Sequence, residues 1–284
     1  MKQILCVANW SEGLKPEFFS AGRRALSNAQ VHYFDGDEDH NRSVSAFSGT
    51  PEQVGMTLLT MCDALIPFID MRSHQGVHPR IGALDVCPFI ILKNSMQVEE
   101  AIAWSNDIAK QIAERFSIPI FLYEKSETGR HSSDLPFLRK GQFEGLAGKT
   151  LNPDFGTTIS HPQWGATVFG VRDWLLAANI NLYSPNDDVA KLIAKKIRTE
   201  RDTNPILTGI RALGFELASK KKSQVSMNFT TPDKNSFDDV YDWVITQAQD
   251  EGIKVSSTEL IGVIRPKDAQ KATHLDFSGR QIVV

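Results

Sequence analysis

The sequence predicts an α/β (α+β) protein of two ferredoxin-like subdomains in series, each a mixed sheet with helices packed on one face. Short apolar segments typical of strands alternate with amphipathic segments typical of helices along the chain. After a strand that ends near Leu182, the order helix, strand, strand, helix, strand is the ferredoxin-like arrangement. The chain has 284 residues, and a prior of about 150 residues per domain favours two domains.

The first predicted subdomain covers residues 1–182. Its clearest helix is expected over 96–116, where apolar residues recur at intervals of three and four. Ser95 is predicted to cap that helix, and the strand–helix–strand unit around it favours a parallel or mixed sheet. Residues 124–163 are irregular, and a stretch of that length is usually functional or mobile. The remaining helices are expected at 17–26 and 52–68, and the strands at 3–8, 31–34, 43–48, 86–92, 118–123, 164–171 and 174–182.

The second predicted subdomain covers residues 183–284 and begins at the turn signal Tyr183-Ser184-Pro185-Asn186-Asp187. Segments 210–217 and 225–229 alternate apolar and polar residues on either side of Lys220-Lys221-Lys222. This pattern predicts a hairpin with the three lysines at its solvated tip. Helices are expected at 187–199 and 236–250, and a last strand at 260–264.

Composition limits the classes of function. The formal net charge is −3, and no basic run exceeds the lysine triplet, so no nucleic-acid footprint is present. The first residues predict a strand, because their apolar run is too short for a signal peptide. No apolar stretch approaches the ~18 residues of a membrane span. Cys6, Cys62 and Cys87 are scattered and form no CxxC pair, which favours buried thiols in a reducing cytoplasm. We therefore expect a cytoplasmic protein without nucleic-acid or membrane partners.

Residues 70–89 carry the densest group of titratable side chains. Gly76 permits unusual backbone angles, and Pro79 pushes His78 towards an extended conformation, so a plain helix is excluded. His74 and His78 have the spacing of a helical metal pair, but this backbone argues against it, and we expect no metal. Arginines and an aspartate close to His78 favour a general base at neutral pH. The alternative is a loop histidine that hydrogen-bonds the backbone.

Other candidate residues lie outside this loop. The acidic run 35–39 is more typical of a solvated turn, but Asp35 is the exception, because it is predicted at the end of a strand. Arg42, Arg72 and Arg80 could each clamp a carboxylate through paired N–H groups. The stretch between Gly156 and Gly165 holds hydroxyl, amide and aromatic groups that suit a planar polar ring, or else it is a plain surface loop. Dinucleotide, ATP and serine-hydrolase motifs are absent from the sequence.

Several long motifs together resemble the glutamate formimidoyltransferase (formiminotransferase) family. The resemblance covers most of the chain and is densest between Asp35 and Leu182. In two places the chain departs from the family pattern: Val77 stands where a glutamate is usual, and Ala8-Asn9-Trp10 stands where Pro-Asn-Phe is usual. The motifs are Cys6-Val-Ala-Asn-Trp-Ser-Glu-Gly, Asp39-His-Asn-Arg-Ser-Val, Ile69 to Phe89, Ile118-Pro-Ile-Phe-Leu-Tyr, Pro153-Asp-Phe-Gly, Trp164-Gly-Ala-Thr-Val-Phe-Gly-Val-Arg, Gln224-Val-Ser-Met-Asn and Leu260-Ile-Gly.

The resemblance implies two α/β subdomains with tetrahydrofolate bound in a cleft between them. The catalytic histidine of the family falls on His78, and its assisting aspartate falls best on Asp35. Asn9, Tyr123 and the three arginines would help to hold the formimino donor and the acidic folate tail. The folate-binding segment falls on Gly156, Thr157, Thr158, Ile159, Ser160, His161, Pro162, Gln163, Trp164 and Gly165.

The resemblance also implies an activity. The expected reaction moves the formimino group of N-formimino-L-glutamate to N5 of tetrahydrofolate and releases glutamate, a step of histidine degradation. Tetrahydrofolate would be a co-substrate, and the protein would be a homodimer without a cyclodeaminase domain. Two alternatives stay open: formyl transfer between 5-formyltetrahydrofolate and glutamate, and a folate-binding paralogue with little catalysis.

Overall fold

The chain forms two compact units in a computed structural model that describes residues 1–93 and 95–284. They are Met1–Asp173 and Trp174–Val284. The predicted boundary after Leu182 is therefore misplaced. The strand Leu176–Leu182 pairs along both edges with strands of the second unit, so it belongs there. The turn signal after it marks a strand-to-helix turn inside that unit, which has the same local sequence signature as a domain boundary.

The first unit contains a six-stranded mixed sheet in the order β2-β3-β1-β4-β6-β5. The four strands from β1 to β4 are antiparallel and follow the ferredoxin-like order, while β4, β6 and β5 are parallel neighbours. The mixed sheet predicted from the helix at 96–116 is thereby confirmed. The elements are β1 (Ile4–Trp10), α1 (Pro16–Ala25), β2 (Gln30–Asp37), β3 (Arg42–Gly49), α2 (Pro51–Leu65), β4 (Leu84–Ile91), α3 (Val98–Phe116), β5 (Ile120–Leu122), α4 (Leu135–Leu138) and β6 (Thr167–Val171).

Helices α1, α2 and α3 bury their apolar sides against one face of this sheet. Residues such as Phe18, Leu58 and Ile108 pack there with alternate residues of β1 and β4. The three cysteines are free and buried, as predicted. On the other face, Asn9 and Arg42 point away from the helices and contact each other. That face of the sheet thus carries polar side chains at the end of β1 and the start of β3.

One predicted helix cap is wrong. Helix α3 begins at Val98 with Gln97 as its N-cap, and no side chain caps it. The hydroxyl of Ser95 instead accepts a hydrogen bond from the Gln3 amide at 2.8 Å and donates one to the Gln3 carbonyl at 3.1 Å. Contact with β1 therefore determines the position of Ser95, which local sequence cannot show.

The second unit is an antiparallel four-stranded sheet in the order β10-β7-β9-β8, with the ferredoxin-like connectivity that the sequence predicts. Helices α5 and α6 cover one face of it with residues such as Ile193 and Val244. The lysine hairpin is confirmed, and Lys221 at its tip has φ of 51°. The elements are β7 (Leu176–Leu182), α5 (Asp188–Glu200), β8 (Ile210–Leu217), β9 (Lys222–Phe229), α6 (Phe237–Asp250), β10 (Val255–Ile261) and α7 (Pro266–Ala269).

No helix within residues 1–93 or 95–284 is long and apolar enough to cross a membrane.

Candidate active site

The loop at residues 70–80 lies directly against the turn between β2 and β3. Three hydrogen bonds join them: Val77 N to Asp39 O at 3.1 Å, His74 Nε2 to Asn41 O at 2.8 Å, and Asn41 Nδ2 to Gln75 O at 2.9 Å. A Cβ on Gly76 would lie 2.3 Å from the His40 carbonyl oxygen, so only glycine permits this approach. Asn41 itself has φ of 45°, a conformation that asparagine adopts more readily than most residues.

His78 sits in this loop as a half-buried imidazole. Its Nδ1 donates to the Pro79 carbonyl at 2.9 Å, because that oxygen can only accept, and Nε2 is then the basic nitrogen. Burial, and then the positive charges of Arg42 and Arg139, hold the pKa of His78 well below its ordinary value of 6.5. The imidazole is therefore neutral at pH 7, which is the form that can accept a proton.

A buried ion cluster accounts for the positive charge beside His78. The Asp85 carboxylate has no exposed surface, and it accepts hydrogen bonds from Arg42 Nη1 at 2.7 Å and from Arg139 Nη2. Its other oxygen accepts the Ile81 amide at 2.9 Å. Burial alone would raise the pKa of Asp85, but Arg139 and Arg42 outweigh burial and lower it. Burial also lowers the pKa of Arg42 to about 10, so both ions keep their charge at neutral pH.

Asn9 positions Arg42 within this cluster. Its Oδ1 accepts from Arg42 Nη2 at 2.9 Å, and its Nδ2 donates to the Val7 carbonyl at 3.0 Å. The sequence predicted Asn9 and Arg42 as ligand-binding residues at separate places in the chain. The sheet brings them together, because β1 and β3 are hydrogen-bonded neighbours in which Asn9 pairs with Val44.

Asp35 lies on β2, and its carboxylate is held by its own strand. It is exposed on the edge strand β2, and its carboxylate accepts from the adjacent Gly36 amide at 2.9 Å. Two residues further along the same strand, Asp37 Oδ1 accepts from His40 Nδ1 at 2.8 Å. The His40 ring lies 6.0 Å from the His78 ring, centroid to centroid. The contacts of His78 with His40, and of His40 with Asp37, therefore link the predicted base to the carboxylate of Asp37.

Arg80 and Arg72 are both engaged by neighbouring residues. The five N–H groups of Arg80 donate to His74 Nδ1, the His74 carbonyl, Gln142 Oε1 and both oxygens of Glu144. Arg80 thus joins residues 142–144 to the loop and has no N–H left for a substrate carboxylate, contrary to its predicted role. Arg72 is exposed and pairs with Asp70, and this guanidinium lowers the pKa of Asp70 to about 2.

The segment predicted to bind folate divides into two parts. Residues 156–159 are exposed, and the Ile159 side chain is 64% accessible. Residues 161–165 form a tight turn in which the His161 and Gly165 backbones exchange hydrogen bonds of 2.9 and 2.8 Å. The His161 and Trp164 rings stack within this turn at 4.3 Å. Burial lowers the pKa of His161, which keeps that ring neutral.

The turn at 161–165 contacts the start of the 70–80 loop and the residues that follow its end. The Gln163 carbonyl accepts from the Met71 amide, and the Trp164 carbonyl accepts from the Ala83 amide, each at 2.9 Å. A Cβ on Gly165 would lie 2.1 Å from the Ile81 carbonyl oxygen. The two segments that the sequence singled out, 70–89 and 156–165, are therefore neighbours in the structure. Trp164 Nε1 is buried without a hydrogen-bond partner among the described residues.

Tyr123 directly follows β5 and lies in a buried apolar cluster on the face of the sheet opposite α1, α2 and α3, with Val86 and Val168. Its side chain is 2% exposed, and burial raises the pKa of its phenol. The hydroxyl therefore stays protonated at neutral pH and can donate a hydrogen bond.

Sequence reasoning did not find Arg139. Its side chain is 12% exposed, it pairs with Asp85, and its Nε is buried without a hydrogen-bond partner among the described residues. Arg139 follows helix α4 inside the irregular stretch 124–163, which was predicted to be functional or mobile. The length of that stretch was the available signal, but it pointed to no single residue. Asp37 was also missed, although the period of two along a strand places it on the same face as Asp35.

No group of three or more His, Cys, Asp or Glu side chains in the described parts of the chain could hold a metal ion. His74, one of the two histidines with metal-pair spacing, uses both ring nitrogens in hydrogen bonds to protein groups.

Comparison with known families gives two matches that together span most of the chain. Residues 3–172 match the formiminotransferase domain, N-terminal subdomain, and residues 177–278 match the formiminotransferase domain. The junction between the two matches coincides closely with the structural division between Asp173 and Trp174.

Similar proteins carry related names. A glutamate formimidoyltransferase of Streptococcus pyogenes serotype M1 is 34% identical over 273 residues, an alignment that covers 94% of this chain and 90% of that protein. One of Thermoplasma acidophilum is 31% identical, with 93% and 88% covered. A formimidoyltransferase-cyclodeaminase of Sus scrofa is 34% identical over 93% of this chain, which spans only 50% of that relative. Both halves of the sequence thus match in order, and the chain belongs to the formiminotransferase domain family.

Proposed function

We propose that this protein is a glutamate formimidoyltransferase. The reaction moves the formimino group of N-formimino-L-glutamate to N5 of tetrahydrofolate, a co-substrate, and releases glutamate. Relatives that carry this name align with nearly the whole chain. The observation that carries the proposal is the state of His78, a neutral imidazole whose Nδ1 is held by Pro79 and whose pKa is lowered by burial and by two arginines. A general base must be unprotonated at the working pH.

In this mechanism His78 moves one proton between two nitrogens. N5 attacks the formimino carbon, and N5 then carries a positive charge and a proton to be removed. His78 Nε2 accepts this proton and returns it to the glutamate nitrogen as the carbon–nitrogen bond to glutamate breaks. Protons and charge balance over the two steps, so no further acid or base is required. General base catalysis of this kind is worth about 10²–10⁴-fold.

Arg42 and Arg139, the positive charges of the ion cluster beside His78, suit the negative charge of the substrates. N-formimino-L-glutamate has two carboxylates, and folate has a glutamate tail. Arg139 Nε and Trp164 Nε1 are buried donors without a partner in the described residues, and such groups normally meet an acceptor. We assign Arg139 Nε, which belongs to this cluster, to an acceptor atom of a bound substrate. Holding two substrates in register can supply roughly 7–11 kcal/mol, so these binding groups matter at least as much as the base.

We assign Asp37, rather than Asp35, as the carboxylate that assists His78. The support is the hydrogen bond between Asp37 and His40 and the ring contact between His40 and His78. Asn9 and Arg80 are assigned as positioning residues, because their polar groups are used by Arg42 and by the loop.

The test is turnover of tetrahydrofolate and N-formimino-L-glutamate by the purified protein, followed through glutamate release. His78→Ala should lower kcat by about 10²–10⁴-fold. His274→Ala is the matched control, since His274 is an exposed histidine of the second unit, and it should leave kcat unchanged. Equal kcat in His78→Ala and the wild type would exclude His78 as the base.

The two alternative functions have their own outcomes in this assay. Glutamate-dependent consumption of 5-formyltetrahydrofolate, without turnover of N-formimino-L-glutamate, would favour formyl transfer. Calorimetric binding of tetrahydrofolate without any turnover would favour the folate-binding paralogue. We further propose a role in histidine degradation and a homodimeric state. Sedimentation equilibrium tests the latter directly, and a monomer mass at micromolar concentration would contradict it.

A further inference from the structure

Residues 133–150 form a surface loop, the 133–150 loop, whose two ends are joined by side-chain contacts. His131 Nε2 donates to Asp154 Oδ2 at 2.7 Å, and Arg130 Nη1 donates to the Pro153 carbonyl at 3.1 Å. Both contacts join the residues that precede the loop to the residues that follow it. Surface loops with joined ends frequently carry function. The loop and its contact residues all lie within the first unit.

The 133–150 loop contributes little to the core. Of residues 133–150, all of which the structure describes, only Leu146 is buried. Leu135 and Leu138 pack half-buried against the same apolar cluster, and Phe137 is 59% exposed. Regular structure is limited to α4 and one short 3-10 turn. A segment with so few buried apolar groups can open at a small cost in free energy.

Polar contacts hold the tip of this loop against the loop that carries His78. Glu144 Oε1 accepts from Arg80 Nη2 at 2.7 Å, and Glu144 Oε2 accepts from Arg80 Nη1 at 2.9 Å. The Phe143 amide donates to the Arg80 carbonyl at 2.9 Å. Arg139 pairs with Asp85 in the buried ion cluster. The 133–150 loop therefore reaches the cluster beside His78 and supplies one of its two arginines.

Arg139 Nε cannot meet a ligand in this arrangement. It is buried without a hydrogen-bond partner among the described residues, and Asp85 beside it has no exposed surface. A ligand atom can reach a buried donor only if the residues that cover it move. Since Arg139 itself lies in the 133–150 loop, which has one buried residue, movement of this loop would expose the donor.

We propose that the 133–150 loop is a lid, which opens to admit a substrate to Arg139 and closes over it, and that the Arg80–Glu144 ion pair is its latch. The lid rests on the proposed function, which assigns Arg139 Nε to an acceptor atom of a substrate. Opening leaves no carboxylate buried alone, because Asp85 keeps its hydrogen bond from Arg42 and Glu144 is exposed. Closure brings the charge of Arg139 to the substrate and separates it from bulk water.

The test is hydrogen exchange of the peptide 139–146, measured by mass spectrometry on the full chain. The wild type is compared with Glu144→Gln, which keeps the size of the side chain but removes its charge. Glu114→Gln is the matched control, because Glu114 is also exposed and pairs with a lysine, but lies in α3. Each protein is measured alone and with tetrahydrofolate plus glutamate, a pair that has no formimino group to transfer.

Exchange in 139–146 should be roughly two- to fivefold faster in Glu144→Gln than in the wild type and Glu114→Gln, because an ion pair with an exposed partner is worth about that ratio. The two ligands should slow exchange in the wild type by at least about threefold, since a closed lid protects these amides. Equal exchange in the wild type and Glu144→Gln would overturn the latch. Bound ligands that leave exchange unchanged would overturn the lid.

Calorimetry under the same conditions shows whether the ligands are bound. Bound ligands that slow exchange, in a protein without turnover of N-formimino-L-glutamate, would count against the proposed function alone. Normal turnover with unchanged exchange would count against the lid alone, and binding of neither ligand would overturn both. Unchanged exchange in peptides of α3 checks that Glu144→Gln is folded.

Discussion

At the scale of single residues, the neighbours of His78 determine its chemistry. A histidine in water has a pKa near 6.5 and is partly protonated at neutral pH. Here burial, Arg42 and Arg139 lower the pKa of His78, so the base form persists to lower pH. In the proposed mechanism the cost is a weaker base, because a lower pKa means a smaller driving force for taking the N5 proton. Val77 precedes His78, is 45% exposed, and occupies the place where the family usually has glutamate.

Val77→Glu should move the acidic limb of the pH profile of kcat/KM to higher pH. In the wild type this limb reports the protonation of His78 and is expected well below pH 6.5, because the pKa is lowered. A carboxylate next to the imidazole favours the imidazolium and raises its pKa. Val77→Gln has nearly the same size without charge and should keep the wild-type limb. If the two variants shift alike, charge at position 77 does not act on His78.

Asp85→Asn should lower the free energy of unfolding by roughly 3–5 kcal/mol, because Arg42 and Arg139 would remain buried without their counter-charge. Since the pKa of Asp85 is below 3.8, its contribution is complete above that pH and is lost as the pH falls through the folded-state value. Urea denaturation at pH 7 measures the loss. Asp70→Asn, which breaks an exposed ion pair with Arg72, should cost much less. Similar losses in both variants would contradict a role of burial.

At the scale of elements, the site depends on close contact between a loop and a hairpin. The 70–80 loop carries His78. The β2–β3 turn contains His40, with Asp37 at the end of β2 and Arg42 at the start of β3. One backbone and two side-chain hydrogen bonds hold the two together, and Gly76 lies directly against the turn. Arg80 hydrogen-bonds Gln142 and Glu144, and so holds the stretch that contains Arg139 against the same loop.

Gly76→Ala should reduce kcat/KM by at least about tenfold, since a shift of about 1 Å in a catalytic group can cost that much or more. The added Cβ would lie 2.3 Å from the His40 oxygen, so the loop or the turn must move. Gly279→Ala is the control, because a Cβ there meets no atom within 4 Å. Steady-state kinetics of the two variants make the comparison, and equal kcat/KM would show that this contact does not position His78.

At the scale of the whole molecule, two units each build their own core. The buried cluster of the second unit lies entirely within residues 176–275. Strand β7 is central in that sheet, between β10 and β9, so it cannot be removed without exposing both neighbours. The position of the division therefore has a direct consequence for folding.

The fragment 174–284 should fold alone and unfold cooperatively, whereas 183–284 should not. The shorter fragment lacks β7, with Leu176, Ala178, Ile180 and Leu182 of the core. Thermal unfolding followed by circular dichroism distinguishes them, with a sigmoidal transition expected only for 174–284. A cooperative transition in 183–284 would restore the boundary predicted from the turn signal.

The sequence by itself determined the fold class, most element positions and the segments of the candidate site. Helical periodicity, strand alternation and the lysine hairpin are local patterns, and each is confirmed by the structure. The sequence also predicts 70–89 and 156–165 as candidate site segments, because glycine, proline and polar side chains are concentrated there.

Only the tertiary structure decided which of those residues work together. Asp35 and Asp37 look alike in sequence, and the packing of a hairpin on a loop distinguishes them. Arg80 and Arg139 could each bind a carboxylate by sequence. In the structure every N–H group of Arg80 is hydrogen-bonded, whereas Arg139 Nε has no partner among the described residues. The boundary after Leu182 was misplaced because strand pairing, which assigns β7 to the second sheet, is also a contact between residues distant in sequence. Hydrogen bonds, burial and charge between residues distant in sequence are properties of the folded chain, and no local pattern contains them.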